Sequence, residues 1–514
     1  MELGPGAPTP PIALAGGAAA ATSRHLGSRV EVGDVVLAAL RDACDEVLDD
    51  PEVTGEASRD WWPLAMTWAV QGQVPARAAV VARPGDARQV ADVLAICDRA
   101  GIPVTAAGGR SGVCGASVPL FGGVVLDLCA MSGIRSVDDV SLTVDVAPGT
   151  FGDRFEDELR TAHGLTCGHF PQSMTLSTVG GWLACRGAGQ LSTRYGKIED
   201  MVVGLDVVLA NGTTVHTGGF PASATGPDLT QLFVGSEGTL GIITGARLKV
   251  HPAPTHERRG VWSMPSFAAG LDLCRRVIRR GATPAVLRLY DGMESDRNYH
   301  VGTDRNVVIV LDEGDAHIVD AVFAIVEEEA AGRDGIAGER LDDSIAEHWL
   351  GKRNDVAALE QLITAGLVVD TMEISGPWSA LPRVYDAALA AIGGIDGTLA
   401  VSAHCSHSYL DGGCLYFTFA GKPTERDDQD RPTPAAIDSY YRAVWDAGTR
   451  AVLAQGGSLS HHHGVGLNRS RYMAEALGAG TEVLAALKAA LDPNGILNPG
   501  KLGLGSPFGK IDLP

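Results

Sequence analysis

Late in the chain, Gly456-Gly457-Ser458-Leu459-Ser460-His461-His462-His463-Gly464-Val465-Gly466 sets three adjacent imidazoles between glycines. Each imidazole offers a nitrogen lone pair and titrates near pH ~6.5, so the group suits acid–base chemistry near neutrality or metal binding. In a strand, successive side chains point to opposite faces, which lets His461 and His463 share one face and puts His462 on the other. That spacing speaks against one ion ligated by all three. A satisfied surface cluster is the alternative, so what the histidines face must come from the rest of the chain.

The chain has 514 residues, 45% of them hydrophobic, and a formal charge of −21. Single cores stop growing at roughly 250–300 residues, so two domains or more are expected. The acidic balance and the lack of a lysine/arginine block argue against nucleic acid and for a small-molecule substrate. The nine cysteines form no CxxC pair, which suits reduced thiols in a cytoplasm. Residues 1–28, rich in Ala, Gly and Pro, read as a disordered tail. No run of about 18 uninterrupted apolar residues supports an integral membrane span.

Residues 29–75 read as an N-terminal lead-in: Val30 to Leu48 has helical spacing, and Ser58-Arg59-Asp60-Trp61-Trp62-Pro63 is an aromatic connection packing on the first domain. From residue 76 strands and helices alternate. Ala79–Ala82 is a short strand, Asp86 caps a helix with Val90, Val93, Leu94 and Cys97 on one face, and Gly101–Thr105 is the next strand. The β-α-β order implies local parallel pairing. That strand runs into Gly108-Gly109-Arg110-Ser111-Gly112-Val113-Cys114-Gly115, where glycines allow backbone amides to approach a pyrophosphate. Strands follow it at 124–128 and 142–146, so this is no Rossmann GxGxxG, and a tight β-turn remains the rival reading. Pro171-Gln172-Ser173 through Ser177-Thr178-Val179-Gly180-Gly181 places hydroxyls and glycines ahead of a helix, an arrangement suited to anion contact. Val203–Leu209, Asn211-Gly212 and Thr213–His216 read as a hairpin.

Taken with Tyr195-Gly196-Lys197-Ile198-Glu199-Asp200 and Gly235-Ser236-Glu237-Gly238-Thr239-Leu240-Gly241-Ile242-Ile243, these segments resemble, in order and spacing, the FAD-binding half of the vanillyl-alcohol-oxidase (PCMH-type) flavoprotein superfamily. The resemblance implies an α+β fold: a two-subdomain PCMH-type FAD-binding domain over 76–253, and an α+β substrate cap with an antiparallel sheet over 254–455. A C-terminal segment, 456–514, brings the histidines back to the FAD domain. It implies that Gly108, Gly109, Arg110, Ser111, Gly112 and Val113 hold the pyrophosphate and Pro171, Ser173, Ser177, Thr178, Gly180 and Gly181 continue the grip. Tyr195, Glu237, Gly238 and Ile243 complete the cofactor set. Some relatives bind flavin covalently through a histidine in the first loop; this loop offers only Cys114, so the expectation is non-covalent FAD.

Within the cap, Trp349 and Arg353 form the W-x-x-x-R pattern found in relatives, and Arg353 is a candidate clamp for a carboxylate or phosphate. D-lactate and D-2-hydroxyglutarate dehydrogenases of the superfamily read H-x-G-D-G-N-x-H and S-A-E-H-G, with a divalent metal. The first motif is absent here and His462 stands at the glutamate of the second, so no metal is expected. Cys414-Leu415-Tyr416-Phe417 and the His461–His463 stretch resemble instead the alkyl-dihydroxyacetonephosphate synthases. That likeness implies a redox-neutral exchange of an acyl for an alkyl group, with Tyr416 in an acid–base role and His461, His462 and His463 lining the substrate's polar end. Two departures stand out: Ala358-Leu359-Glu360-Gln361 replaces Y-L-R-D, and Leu467 replaces a lysine. The other enzymatic reading is an FAD-dependent oxidase or dehydrogenase of an alcohol or 2-hydroxy acid. A flavin-binding module without catalysis fits less well, because it would have no use for the acid–base cluster. A homodimer is plausible by analogy.

Overall fold

The computed structural model describes residues 12–25, 29–332, 336–355, 358–427 and 432–510. Three sheets organise it. The first runs Glu46–Leu48, Val80–Arg83, Val124–Asp127, Val104–Ala107 in spatial order, its last three strands parallel. The parallel order follows from the helix Ala87–Ala100, which Asp86 caps through Gln89 and which buries Val90, Val93, Leu94 and Cys97. Leu497 bridges Val104, so the C-terminal segment lies beside this half.

The second sheet is antiparallel: Thr214–Gly218, Val202–Val208, Ile242–Lys249, Thr143–Val146, Ile134–Asp138. Its first pair is the hairpin expected around Asn211-Gly212, with Gly212 at φ 84°. The helix Val179–Cys185, capped by Thr178, packs on Ile242–Lys249 of this sheet, and Thr178 lies against Gly108 at the start of the glycine loop.

The third sheet forms the cap. Its spatial order is Glu339–Leu341, His256–Met264, Asn306–Gly314, Val286–Tyr290, Thr398–Ser408, Gly412–Gly421, Val368–Pro377, all antiparallel. Helices Phe267–Arg279, Ala316–Ala330, Leu381–Gly393 and Pro434–Ala454 contribute to the core that its apolar side chains join. The period-2 alternation of strands sorts the side chains. Leu287, Leu289, Ala403, Cys405, Leu415, Phe417, Met372 and Ile374 enter that helix-side core. Arg288, Tyr290, His404, Ser406, Tyr416, Thr418 and Thr371 line a cavity on the opposite face.

Two expectations for the N-terminus are corrected. Residues 12–25, expected to be part of a disordered tail, pack into the structure: Ile12, Leu14, Ala18 and Ala21 are buried, and Thr22–Ser23 pairs with Gln73–Val74. Residues 1–11 and 26–28 of that tail lie outside the described residues. In the lead-in, the stretch from Val30 to Leu48 is helical only over Asp34–Ala43 and then gives the strand Glu46–Leu48 to the first sheet, while Pro51–Glu56 and Pro63–Ala69 add two short helices. Its tryptophans also reach the cap core. The indole N–H of Trp62 donates to Tyr441 (2.8 Å) and that of Trp68 to Asp438 (2.8 Å). Aromatic bulk with one polar tip explains this choice, since each indole buries its rings and satisfies its donor at once.

Candidate active site

One cavity of about 990 Å³ runs between the glycine loop and the cap sheet. At the loop end, the backbone N–H groups of Gly109, Arg110, Ser111, Gly112 and Val113 have no acceptor among the described hydrogen bonds. Gly109 and Arg110 are buried, Ser111 and Val113 half-buried and Gly112 exposed, and five consecutive unpaired donors beside a cavity suit contact with an anion. Gly109 is required by packing: a Cβ there would lie 2.0 Å from the Leu176 carbonyl oxygen. Arg110 adopts φ 50° and its guanidinium lies 3.9 Å from Asp127. Ser177, Thr178, Gly180, Gly181, Pro171, Ser173, Glu237, Gly238 and Ile243 line the same cavity.

His169, which drew no attention in the sequence, is fully buried on the cavity wall, and neither ring nitrogen has a partner. Burial, followed by the Lys197 charge, pushes its pKa down to about 3. A neutral imidazole with both nitrogens unsatisfied is suited to bonding a polar ligand. The free amide run and this orphaned ring fit FAD, whose pyrophosphate and ring heteroatoms would answer them.

At the cap end, strand register does the positioning. Glu373 pairs with Tyr416, Tyr416 with His404, and His404 with Tyr290, so four side chains from four strands stand in one row. The Tyr416 and His404 rings stack at 4.8 Å, and the Tyr416 hydroxyl donates to Thr371 Oγ1 (3.0 Å). Burial pushes the Tyr416 phenol above its usual range. His404 Nδ1 lies 2.7 Å from Glu294 Oε2. Burial would raise the Glu294 carboxyl, but the His404 charge and bond, with Arg297, hold it down at about 2.

The three histidines wrap the fourth member of that row. The buried Glu373 carboxylate accepts from the Ser460 hydroxyl (2.9 Å) and the backbone N–H groups of His461 (3.2 Å), His462 (3.0 Å) and His463. Arg469, fully buried, donates to it at 2.8 Å. Burial raises this carboxyl, and the Arg469 charge more than reverses the effect, to about 2. On the other side of the loop, Glu237 accepts from the N–H groups of Val465 (2.6 Å) and Gly466 (2.9 Å). One cap carboxylate and one carboxylate of the cofactor-side segment thus clamp the histidine stretch. Because the chain turns around Glu373, the stretch is no strand and the expected alternation of faces does not apply.

His462 and His463 line the cavity. His461 does not; its Nε2 meets the Tyr409 hydroxyl (3.0 Å) and its Nδ1 meets His462 Nδ1 (2.8 Å). Burial, then neighbouring histidine charge, pushes His461 and His462 well below the ordinary range. For His463 burial outweighs the opposing Glu373 charge, to about 4. All three are neutral at pH 7.

Arg353 lines the cavity beside Phe170 and Trp349, as the W-x-x-x-R pattern suggested. Tyr195, expected in the cofactor set, stands off the cavity wall, and its hydroxyl donates to Glu313 (2.8 Å), tying the cofactor half to the cap. Sequence reasoning missed Arg288, Glu294, His404 and His407, all on the cavity wall. For Arg288 and His404 the signal was the alternation of strands 286–290 and 398–408; Glu294 lies on the helix Gly292–Tyr299, and His407 follows a register shift in its strand, so periodicity marked neither.

With this geometry in view, the FAD binding domain family matches residues 78–218 and the C-terminal domain of FAD linked oxidases matches 253–502. The uncharacterized FAD-linked oxidoreductase YgcU of Escherichia coli (strain K12) is 31% identical over 443 residues, covering 84% of this chain and 89% of that protein. The chain belongs to the FAD-linked oxidoreductase family.

Other family members include the alkyldihydroxyacetonephosphate synthase of Dictyostelium discoideum, 29% identical over 84% of this chain and 74% of its own length. The glycolate oxidase subunit GlcD of Bacillus subtilis is 29% identical over 82% and 88%. Among solved structures, an alkyldihydroxyacetonephosphate synthase superposes with TM-score 0.73 at 24% identity, covering 92% of this chain and 86% of its own. p-Cresol methylhydroxylase gives 0.72 at 18%, covering 93% and 99%. The fold is that of the PCMH-type flavoproteins, and the chain is an FAD enzyme. Among the described residues, no helix is long and apolar enough to cross a membrane.

Proposed function

We propose that this enzyme oxidises a small anionic alcohol of the 2-hydroxy-acid class, with non-covalent FAD as hydride acceptor. The observation that carries the reading is Arg288. It is buried on the cavity wall with no carboxylate partner among the described residues, and its Nε reaches only the Tyr290 hydroxyl (3.1 Å). The Tyr290 and Trp349 rings and the charge of the buried Glu294 keep this guanidinium ionised on the wall, and its planar fork suits a substrate carboxylate in bidentate geometry. Arg353, Lys352 and Asn298 stand on the same wall. Size agrees: the ≈ 990 Å³ cavity must take FAD as well as substrate, and one drug-sized ligand alone fills about 300–1,000 Å³.

FAD, when bound, supplies the two-electron acceptor. The chain's own residues handle the charge and the proton. Arg288 and Arg353 hold the carboxylate. His463, neutral at pH 7, accepts the proton of the substrate hydroxyl as the carbonyl forms. Tyr416 stays protonated because burial raises its pKa, so it acts as a hydrogen-bond donor to the substrate oxygen rather than as the base. Cys114 is buried and off the cavity wall, in keeping with dissociable FAD.

A second reading, redox-neutral acyl-to-alkyl exchange, is favoured by the match of Tyr416 and His461–His463 to the synthase pattern. Against it, Glu360, at the position where that pattern has arginine, is exposed and off the cavity wall, while Leu359 and Leu362 line the cavity. Anaerobic mixing decides between them. A short 2-hydroxy acid should bleach the flavin band near ~450 nm. Failure of every hydroxy acid tested, together with turnover of an acyl-dihydroxyacetone phosphate plus fatty alcohol, would reverse the preference.

A further inference from the structure

Three imidazoles from two parts of the chain meet at the edge of the cavity. His407 comes from the strand Thr398–Ser408, and His461 and His462 from the loop around Glu373. Their ring centroids form a nearly equilateral triangle, 4.9 Å for His407–His461, 5.2 Å for His407–His462 and 5.0 Å for His461–His462. One nitrogen from each lies within 4.8 Å of the others. His463 is not part of the triangle; its Nδ1 faces Glu373 at 3.9 Å.

We propose that His407, His461 and His462 form a binding site for one divalent transition-metal ion of the zinc type, with its fourth position open to the cavity. Zinc accepts neutral imidazole nitrogens at about 2.0–2.1 Å in tetrahedral geometry, which places ligand nitrogens roughly 3.3 Å apart. His461 Nδ1 and His462 Nδ1 already stand 2.8 Å apart, close enough to share either one proton or one cation. Closing the set requires the rings to shift by about 1 Å, within reach of side-chain rotation.

The outer contacts also suit ligation. His407 Nδ1 meets Ser192 Oγ (2.7 Å), leaving Nε2 for the ion. His461 Nε2 meets the Tyr409 hydroxyl (3.0 Å), leaving Nδ1. Bonds of this kind fix the ring and the tautomer of a metal-bound histidine. Three protein ligands and one open position is the pattern of catalytic rather than structural zinc. His407 and His462 reach the cavity wall, so the open position faces substrate. The surrounding charge is mixed: Lys197 donates to the His461 carbonyl (2.7 Å) and pairs with Glu199 (3.1 Å), and Glu373 lies beneath the loop. The proposal concerns binding and stands whichever reaction the cavity performs.

The test uses FAD-loaded protein incubated with ZnCl2 and dialysed, with zinc and flavin quantified together by plasma mass spectrometry. One zinc per flavin is expected, with cobalt substitution giving the visible absorption of a tetrahedral ion. His407→Gln and His462→Gln should each abolish stoichiometric zinc while keeping FAD, and His163→Gln, an exposed control, should not. Ser192→Ala leaves all ligands in place and should weaken zinc binding roughly 10–100-fold. Two results would overturn the proposal. One is wild-type protein with full FAD, no zinc above trace and no cobalt spectrum, which leaves a shared proton between His461 and His462. The other is zinc content unchanged in the His407 and His462 variants.

Discussion

Replacing Glu373 by Gln tests whether one carboxylate organises the histidine loop. The change keeps the shape and removes the charge. In the wild type the two oxygens receive four donors from Ser460 to His463 plus the Arg469 guanidinium. Glutamine has only one acceptor oxygen, so its amide N–H2 must face either the loop N–H groups or Arg469. Arg469 is itself completely buried. Leaving one buried charge without its partner costs about 3–5 kcal/mol, and each bond lost to a charged acceptor about 1.5–3 kcal/mol, only partly additive. We therefore expect a loss of about 3–5 kcal/mol, read by urea denaturation of FAD-loaded protein. Turnover should fall as well, because His462 and His463 lose their anchor. Arg469→Met should also destabilise, but the double variant should be less damaged than the sum of the two, with a coupling of at least about 2 kcal/mol. A Glu373→Gln protein that loses less than ~1 kcal/mol and turns over normally would refute the reasoning.

Gly109→Ala forces a Cβ to within 2.0 Å of the Leu176 carbonyl and distorts the amide cradle, so the purified protein should be colourless, with FAD uptake at least tenfold weaker by fluorescence titration. Arg288→Met removes the charged anchor and should lower kcat/KM for a 2-hydroxy acid about 10–150-fold, mostly through KM, while the uncharged alcohol analogue is unaffected. Stability should fall with acid. His169 and His463 have folded pKa values depressed to about 3 and about 4, so the stability they contribute is complete above their unfolded pKa of about 6.5 and is lost as pH falls toward those values. Glu373, depressed to about 2, adds a second loss below about pH 4.5. Urea midpoints at pH 8, 6 and 4.5 should decline in that order; a flat profile would count against the neutral buried histidines.

Local physics was legible in the chain. The capped helix after Asp86, the Asn211-Gly212 hairpin and the glycine loop at 108–113 follow from rules that act over a few residues, and all are present. The FAD assignment rested on several such segments in order, and the family matches agree with it. Tyr195 shows the limit: it sits in a motif that points to cofactor, yet its hydroxyl is spent on Glu313, more than a hundred residues away. The Ala/Gly/Pro-rich start misled for a related reason, since Ile12 and Leu14 find their apolar partners in the folded lead-in and in Ile363, more than three hundred residues away.

Sequence by itself determined the FAD-binding domain and its glycine loop, the alternation that gives the cap sheet one apolar and one polar face, and the presence of an imidazole cluster near its end. Only the tertiary structure decided what those imidazoles do. Register across strands far apart in the chain lines up Glu373, Tyr416, His404 and Tyr290, and a one-residue slip would send each to the other face. The Glu373 carboxylate then bends the loop around itself, and that bend, set by contacts spanning about ninety residues, brings His461 and His462 to His407.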